Sequence, residues 1–222
     1  MTVLVAGGTG FLGNAVVREL IASGYDVATT WVVARERERL ESEPVELIEA
    51  DLFDADQVAA AISNVQGLEA VVNLVGGYAQ GPLVHDTALP DFMRMIELNL
   101  VPAFLLAHEA MPRLVERGGG AFVGVSARAA LRPFAGAAGY VAGKAALLAF
   151  VQALDAEYRD RGVRVNAILP SVIDTPANRE SMPDADHSKW VPPEQIAKVV
   201  RFLVSDDSAP TSGAGIPVYG RA

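Results

Sequence analysis

The chain of 222 residues contains no cysteine and only three histidines. Without thiols there is no disulfide, no thiolate metal centre and no cysteine nucleophile, and the expected compartment is a reducing one, the cytoplasm. His85, His108 and His187 share no metal-ligand spacing, so no metal site is expected. Positive charge is also scarce: 18 Lys and Arg stand against 27 Asp and Glu, a net charge of −9. A broad basic face for nucleic acid or an anionic membrane is therefore excluded. No apolar run approaches the ~18 residues of a membrane span. The start, "MTVLVAGGTG", has no basic segment ahead of its apolar run and no signal-peptidase site. What these absences leave is small-molecule chemistry.

Hydrophobic residues, by contrast, make up 51% of the chain, enough for one large core, and no linker or repeat divides it, so residues 1–222 read as one domain. Short β-branched runs alternate with helical stretches. "TVLVA" precedes a helix from Phe11, "DVATTWVV" precedes "ARERERLES", "VELIEA" precedes "DADQVAAAI", and "EAVVNLV" precedes a long helix ending near Glu116. "GAFVGVS", the helix around Tyr140, "VRVNAIL", "PPEQIAKVVRFL" and a short strand near "GIPVYG" complete the order. Strands apolar on both faces and joined by helices predict an α/β, three-layer, Rossmann-type doubly wound parallel sheet of about seven strands. The longest stretch without either pattern, Ser171 to about Val191, is expected to be a lid or binding loop.

"VLVAGGTGFLG" places Gly7, Gly10 and Gly13 after the first strand and at the opening of the first helix. Glycine there permits a tight turn, close approach of main chain to a pyrophosphate, and packing of helix on strand, while helix N–H groups receive the phosphate charge. The end of the second strand discriminates between dinucleotides, because an acid suits the ribose 2′-OH of NAD and a base suits the 2′-phosphate of NADP. It reads Thr29-Thr30-Trp31-Val32-Val33-Ala34-Arg35-Glu36-Arg37, without an acid at its tip and with Arg35 and Arg37 in reach of a phosphate, so NADP(H) is preferred over NAD(H). "RERER" also reads as a solvated face of i,i+4 ion pairs. Asp51, followed by Leu52, ends the third strand, where a carboxylate meets an adenine amino group or caps the helix starting near Asp54.

In "GYVAGKAAL", Tyr140 and Lys144 lie four residues apart on one helix face. Ser126 stands fourteen residues earlier at a strand end, and Asn99 lies three residues before Pro102 in the long helix.

Taken together and in order, these features resemble the short-chain dehydrogenase/reductase superfamily from Thr2 to about Gly220: the glycine turn, Asp51, Asn73, Asn99, Ser126, Tyr140, Lys144, then Pro170 and Thr175. The resemblance implies an NAD(P)H-dependent oxidoreductase acting on a carbonyl or alcohol. In it Tyr140 is the general acid/base, its pKa lowered by the Lys144 ammonium, Ser126 orients the substrate oxygen, and Asn99 positions a water. Lys144 also holds the nicotinamide ribose. The cofactor set it implies is Gly7, Thr9, Gly10, Phe11, Leu12, Gly13, Thr30, Trp31, Arg35, Asp51, Leu52, Asn73, Gly76, Tyr140, Lys144, Pro170, Ile173 and Thr175. Gly139, Ala142 and Gly143 read as clearance for cofactor and substrate.

Departures are visible: Asn73-Leu74-Val75-Gly76 replaces Asn-Asn-Ala-Gly, and Pro170-Ser171 replaces Pro-Gly. The glycine spacing matches the extended members of the superfamily. "GGTGFLG", "VGGYAQG" and "LPSVIDTPANRESMPDADHSKWVPPE" are similar to dihydropteridine reductases, with Met182 and Trp190 as lid residues over the substrate. That family generally lacks the serine and asparagine, and carries an acid where Trp31 stands, which favours a carbonyl reductase with quinonoid dihydropteridine reductase as the alternative. A non-catalytic dinucleotide sensor is a third reading, against which the set of four side chains counts. The small and apolar stripes on the two long helices, Ala103, Leu105, Leu106, Ala107 and Ala110 on one and Ala145, Ala146, Leu148, Ala149 and Phe150 on the other, read as core. The resemblance implies that these helices pair across a two-fold axis, giving a homodimer or homotetramer.

Overall fold

The computed structural model describes residues 1–221. Seven strands form one parallel sheet: β1 (Thr2–Ala6), β2 (Asp26–Trp31), β3 (Val45–Glu49), β4 (Leu68–Asn73), β5 (Gly120–Val125), β6 (Val163–Pro170) and β7 (Gly215–Val218), in the order β3-β2-β1-β4-β5-β6-β7. The helices are α1 (Phe11–Ala22), α2 (Ala34–Arg37), α3 (Ala55–Asn64), α4 (Leu89–Glu116), α5 (Ala138–Tyr158), α6 (Pro176–Ser181) and α7 (Pro193–Val204).

Alternation along each strand builds two cores. In β1, Val3 and Val5 face α1 and α7, in a cluster with Val16, Leu20, Ile196 and Leu203. Leu4 and Ala6 face the other way, toward Val58, Leu106, Phe122 and Leu147. Each fully buried side chain of this kind is worth about 1.5–3 kcal/mol, which explains why strands this apolar must be covered on both sides. The strand order reverses between β1 and β4, and ligands of open α/β sheets bind in the crevice at the carboxyl ends of strands at such a point. The glycine turn follows β1 and the Asn73 loop follows β4, so both flank that crevice.

Two local readings change. The Ser171–Val191 stretch is not without regular structure: Thr175 caps α6, and Ile173 bridges to Val191 in parallel. A six-residue helix opened by Pro176 is too short to show periodicity. The cap of α3 is Asp54, which accepts from the N–H groups of Asp56 and Gln57, while Asp51 stands outside the helix. Among the described residues no helix is long and apolar enough to cross a membrane.

Candidate active site

The turn after β1 is shaped by main chain. Gly7 has φ +79°, a left-handed conformation that side chains resist. A Cβ on Gly13 would lie 2.5 Å from the Gly8 Cα, so α1 can cross this close to the turn only with glycine there. Gly10, the N-cap of α1, offers no side-chain acceptor, which leaves first-turn N–H groups directed outward. Those donors and the bare turn fit a pyrophosphate. Thr30, expected at the ribose, is buried, and its Oγ1 accepts from the Gly7 N–H at 3.3 Å. It braces the turn from beneath.

Of the basic residues after β2, Arg35 is exposed on α2 and Arg37 stacks its guanidinium 5.3 Å from the Trp31 ring. The one nearest the turn is Arg39, which the sequence reading did not single out. Its Nη1 donates to the Thr9 carbonyl at 2.8 Å, and its guanidinium lies 4.6 Å from the Phe11 ring. It is the last arginine of "RERER", the stretch read from sequence as a solvated face. Asp51 is exposed, with its Oδ1 accepting from the Phe53 N–H at 3.0 Å, beside a buried Leu52.

Beyond β4, Asn73 is 1% exposed, and its Nδ2 is the one buried side-chain polar atom without a hydrogen-bond partner among the described residues. Gly76 follows in tight quarters: a Cβ there would lie 2.9 Å from Lys144 Nζ and 2.7 Å from Asn99 Oδ1. The uncapped α1 terminus, the unpartnered Asn73 amide and this bare glycine all suit a dinucleotide lying across the carboxyl ends of β1 and β4. On the far side of the sheet's reversal, Ile173 is tied to Val191. Thr175 accepts from the Asn178 N–H at 3.2 Å, and Pro170 closes β6.

Asn99, Ser126, Tyr140 and Lys144 come from α4, the end of β5 and α5, and converge as their order implied. Their bonds differ from the implied roles. The Asn99 amide accepts from the Gly77 N–H at 3.1 Å and donates to the carbonyls of Gly77 at 3.0 Å and Met95 at 2.8 Å. It clamps the loop after β4. Ser126 is 2% exposed and its Oγ donates to the Lys144 carbonyl at 2.7 Å, pinning α5 to the end of β5. Lys144 Nζ donates to the Val125 carbonyl at 2.7 Å.

Electrostatics also depart from expectation. Burial pushes the Tyr140 phenol up to about 12, with Tyr78 adding to the rise, and burial pushes Lys144 down to about 8. The ammonium is turned toward the Val125 carbonyl. The glycines of α5 have a further purpose. A Cβ at Gly143 would stand 2.8 Å from the Met95 carbonyl, and one at Gly139 3.1 Å from the Phe92 carbonyl, so their clearance is for α4 rather than for ligands. The Tyr140 hydroxyl makes no hydrogen bond among the described residues, and its ring stands edge-on to Tyr78, with centroids 5.1 Å apart and planes at 88°.

Trp190 is 8% exposed with the His187 ring 4.2 Å away, so its ring packs at the base of the loop. Met182 is half-buried, and its carbonyl meets His187 Nε2 at 2.9 Å.

A family model described as short chain dehydrogenase matches residues 1–186. The cyclohexanol dehydrogenase of Acinetobacter sp. (strain SE19) is 31% identical over 169 residues, covering 73% of this chain and 67% of the relative. The 2,5-dichloro-2,5-cyclohexadiene-1,4-diol dehydrogenase of Sphingobium indicum is 31% identical over 185 residues, covering 78% and 74%. Among solved structures, levodione reductase superposes with a TM-score of 0.90 at 26% identity, covering 99% of this chain and 96% of that one. None of these three is a pterin enzyme.

Proposed function

Since the chain belongs to the short-chain dehydrogenase family, and is an NAD(P)-dependent oxidoreductase acting on an alcohol or carbonyl group, we propose that Tyr140 is its general acid/base. One observation carries this assignment: the Tyr140 hydroxyl is free of hydrogen bonds, one helical turn from a buried lysine that makes no salt bridge among the described residues. A buried cation without a counter-charge is costly and marks a functional site more often than a structural one.

A bound nicotinamide supplies or accepts the hydride. In reduction, Tyr140 Oη gives its proton to the carbonyl oxygen as the carbon gains hydride, and in oxidation it takes the hydroxyl proton back. With its phenol up at about 12, Tyr140 stays protonated through neutral pH, the form that donation requires. Lys144 Nζ, next to Gly76, holds the nicotinamide ribose and brings positive charge to the phenolate left behind. Ser126 and Asn99 act as positioning residues, fixing α5 and the Gly77 loop.

The glycine turn, Asn73, Gly76, Pro170, Ile173 and Thr175 hold the dinucleotide. NADP(H) is the proposed preference, supported by Arg37 and Arg39 near Trp31 and Phe11 and by the lack of an acid at the tip of β2. A homodimer or homotetramer is supported by the outer face of α4 and α5, where the half-exposed Phe104 lies 6.2 Å from Phe150. The small-molecule substrate sits over Tyr140.

A second reading, reduction of quinonoid dihydropterin, is favoured by one observation: with Ser126 Oγ bonded to Lys144, no free serine hydroxyl is recorded beside Tyr140. One assay tests both readings, using NADH and NADPH with cyclohexanone and with quinonoid dihydropterin, on wild type and Tyr140→Phe. Tyr140→Phe is expected to lower kcat about 10³-fold with cofactor affinity held within about threefold. Undiminished ketone turnover by the variant overturns the acid role, and pterin turnover above that of the ketone promotes the second reading.

A further inference from the structure

The ring of Tyr78 is the nearest aromatic group to Tyr140, yet it is 54% exposed and lies in the loop after β4. Its position is fixed rather than incidental. Tyr78 Oη donates to Gln80 Oε1 at 2.9 Å, and Gln80 Nε2 donates to the Ala135 carbonyl at 3.2 Å. The Gly81 N–H donates to the Gly136 carbonyl at 2.8 Å, and the Asn99 amide holds both main-chain groups of Gly77. Two loops, one after β4 and one before α5, are thereby stitched together beside the reacting phenol.

On the other side of Tyr78 stands Phe134, with ring centroids 6.5 Å apart and 44% of its surface exposed. Phe134 itself, with Pro82, Leu83, Val84 and Val141, borders an open pocket of about 420 Å³ between the same loops and the first turn of α5, without one ionisable side chain. Exposed aromatic rings that are held rigid by hydrogen bonds offer contact area at little entropic cost. A carboxylate or phosphate would find no fixed cation among them.

We propose that Tyr78 and Phe134 are specificity-determining residues, forming the wall against which an uncharged cyclic alcohol or ketone packs while its oxygen meets Tyr140. This rests on Tyr140 being the acid/base of the proposed function. Tyr78 contributes its ring face and edge, and Gln80 keeps that ring upright.

The test measures kcat and KM for cyclohexanol and for 2-butanol at saturating NADP⁺ and NAD⁺, with wild type, Tyr78→Ala, Tyr78→Phe, Phe134→Ala and Tyr140→Phe. Tyr78→Ala is expected to raise KM for cyclohexanol about tenfold and that for 2-butanol by less than about threefold, since the cyclic alcohol loses more packing on the missing ring. Tyr78→Phe keeps the ring but loses its bond to Gln80, so its KM for cyclohexanol is expected to fall between those of wild type and Tyr78→Ala. Equal losses on both alcohols, or a Tyr78→Phe defect as large as that of Tyr78→Ala, overturn the proposal. So does a wild type that prefers 2-butanol or turns over neither alcohol. Tyr140→Phe that retains full activity instead overturns the acid/base reading on which the proposal rests.

Discussion

At the glycine turn the opening N–H groups of α1 meet no capping side chain, whereas around Tyr140 nearly every polar side chain is already bonded to main chain. The first region is built by leaving things out: no Cβ on Gly13, no acceptor at Gly10. The second is built by cross-bracing. Asn99 fastens one loop, Ser126 fastens α5, Lys144 fastens the end of β5, and the phenol of Tyr140 is left free between them. Binding a phosphate needs unsatisfied donors, and moving a proton needs one group held still, so the two regions use the same kinds of bonds in opposite ways.

The largest stability effect breaks the first region. Gly13→Ala forces a methyl against the Gly8 main chain, and a loss of about 3 kcal/mol is expected in denaturant unfolding, together with loss of NADPH binding followed by fluorescence. A variant that kept wild-type stability would show that the close crossing of α1 is not obligatory. The second region is broken by removing its buried charge. Lys144→Met is expected to be about 2 kcal/mol more stable than wild type at pH 7, while losing turnover.

That gain has a sign in pH. Burial lowers Lys144 to about 8 in the folded chain from 10.5, so between these values the unfolded chain binds the extra proton and wild-type stability rises with pH. The advantage of Lys144→Met therefore narrows from pH 8 to 10, as urea midpoints at several pH values will show. A constant gap would mean that Lys144 is not desolvated as described. The smallest effect sharpens the comparison: Ser126→Ala, which removes the bond to the Lys144 carbonyl, is expected to cost about 1 kcal/mol and change kcat by less than about threefold. A much larger fall in kcat with unchanged stability would return Ser126 to the substrate oxygen.

Much of this was legible in the sequence. The βα alternation and the seven strands follow from local apolar pattern, which is a property of neighbours along the chain. So do the glycine turn, because its residues are contiguous, and the shared face of Tyr140 and Lys144, because helical spacing fixes it. Arg39 was overlooked because its partner, the Thr9 carbonyl, lies thirty residues away. Helix α6 was missed because six residues carry too little periodicity.

The sequence by itself determined the fold class, the family and which side chains gather at the sheet's reversal. Only the tertiary structure decided what those side chains touch. A serine, an asparagine or a lysine is donor to whichever acceptor packing brings within 3 Å, and rotamer and neighbour are set by contacts between elements far apart in the chain. Hence Ser126 meets the Lys144 carbonyl, Gly139 and Gly143 make room for α4, Trp190 is buried, and Tyr78 stands edge-on to Tyr140.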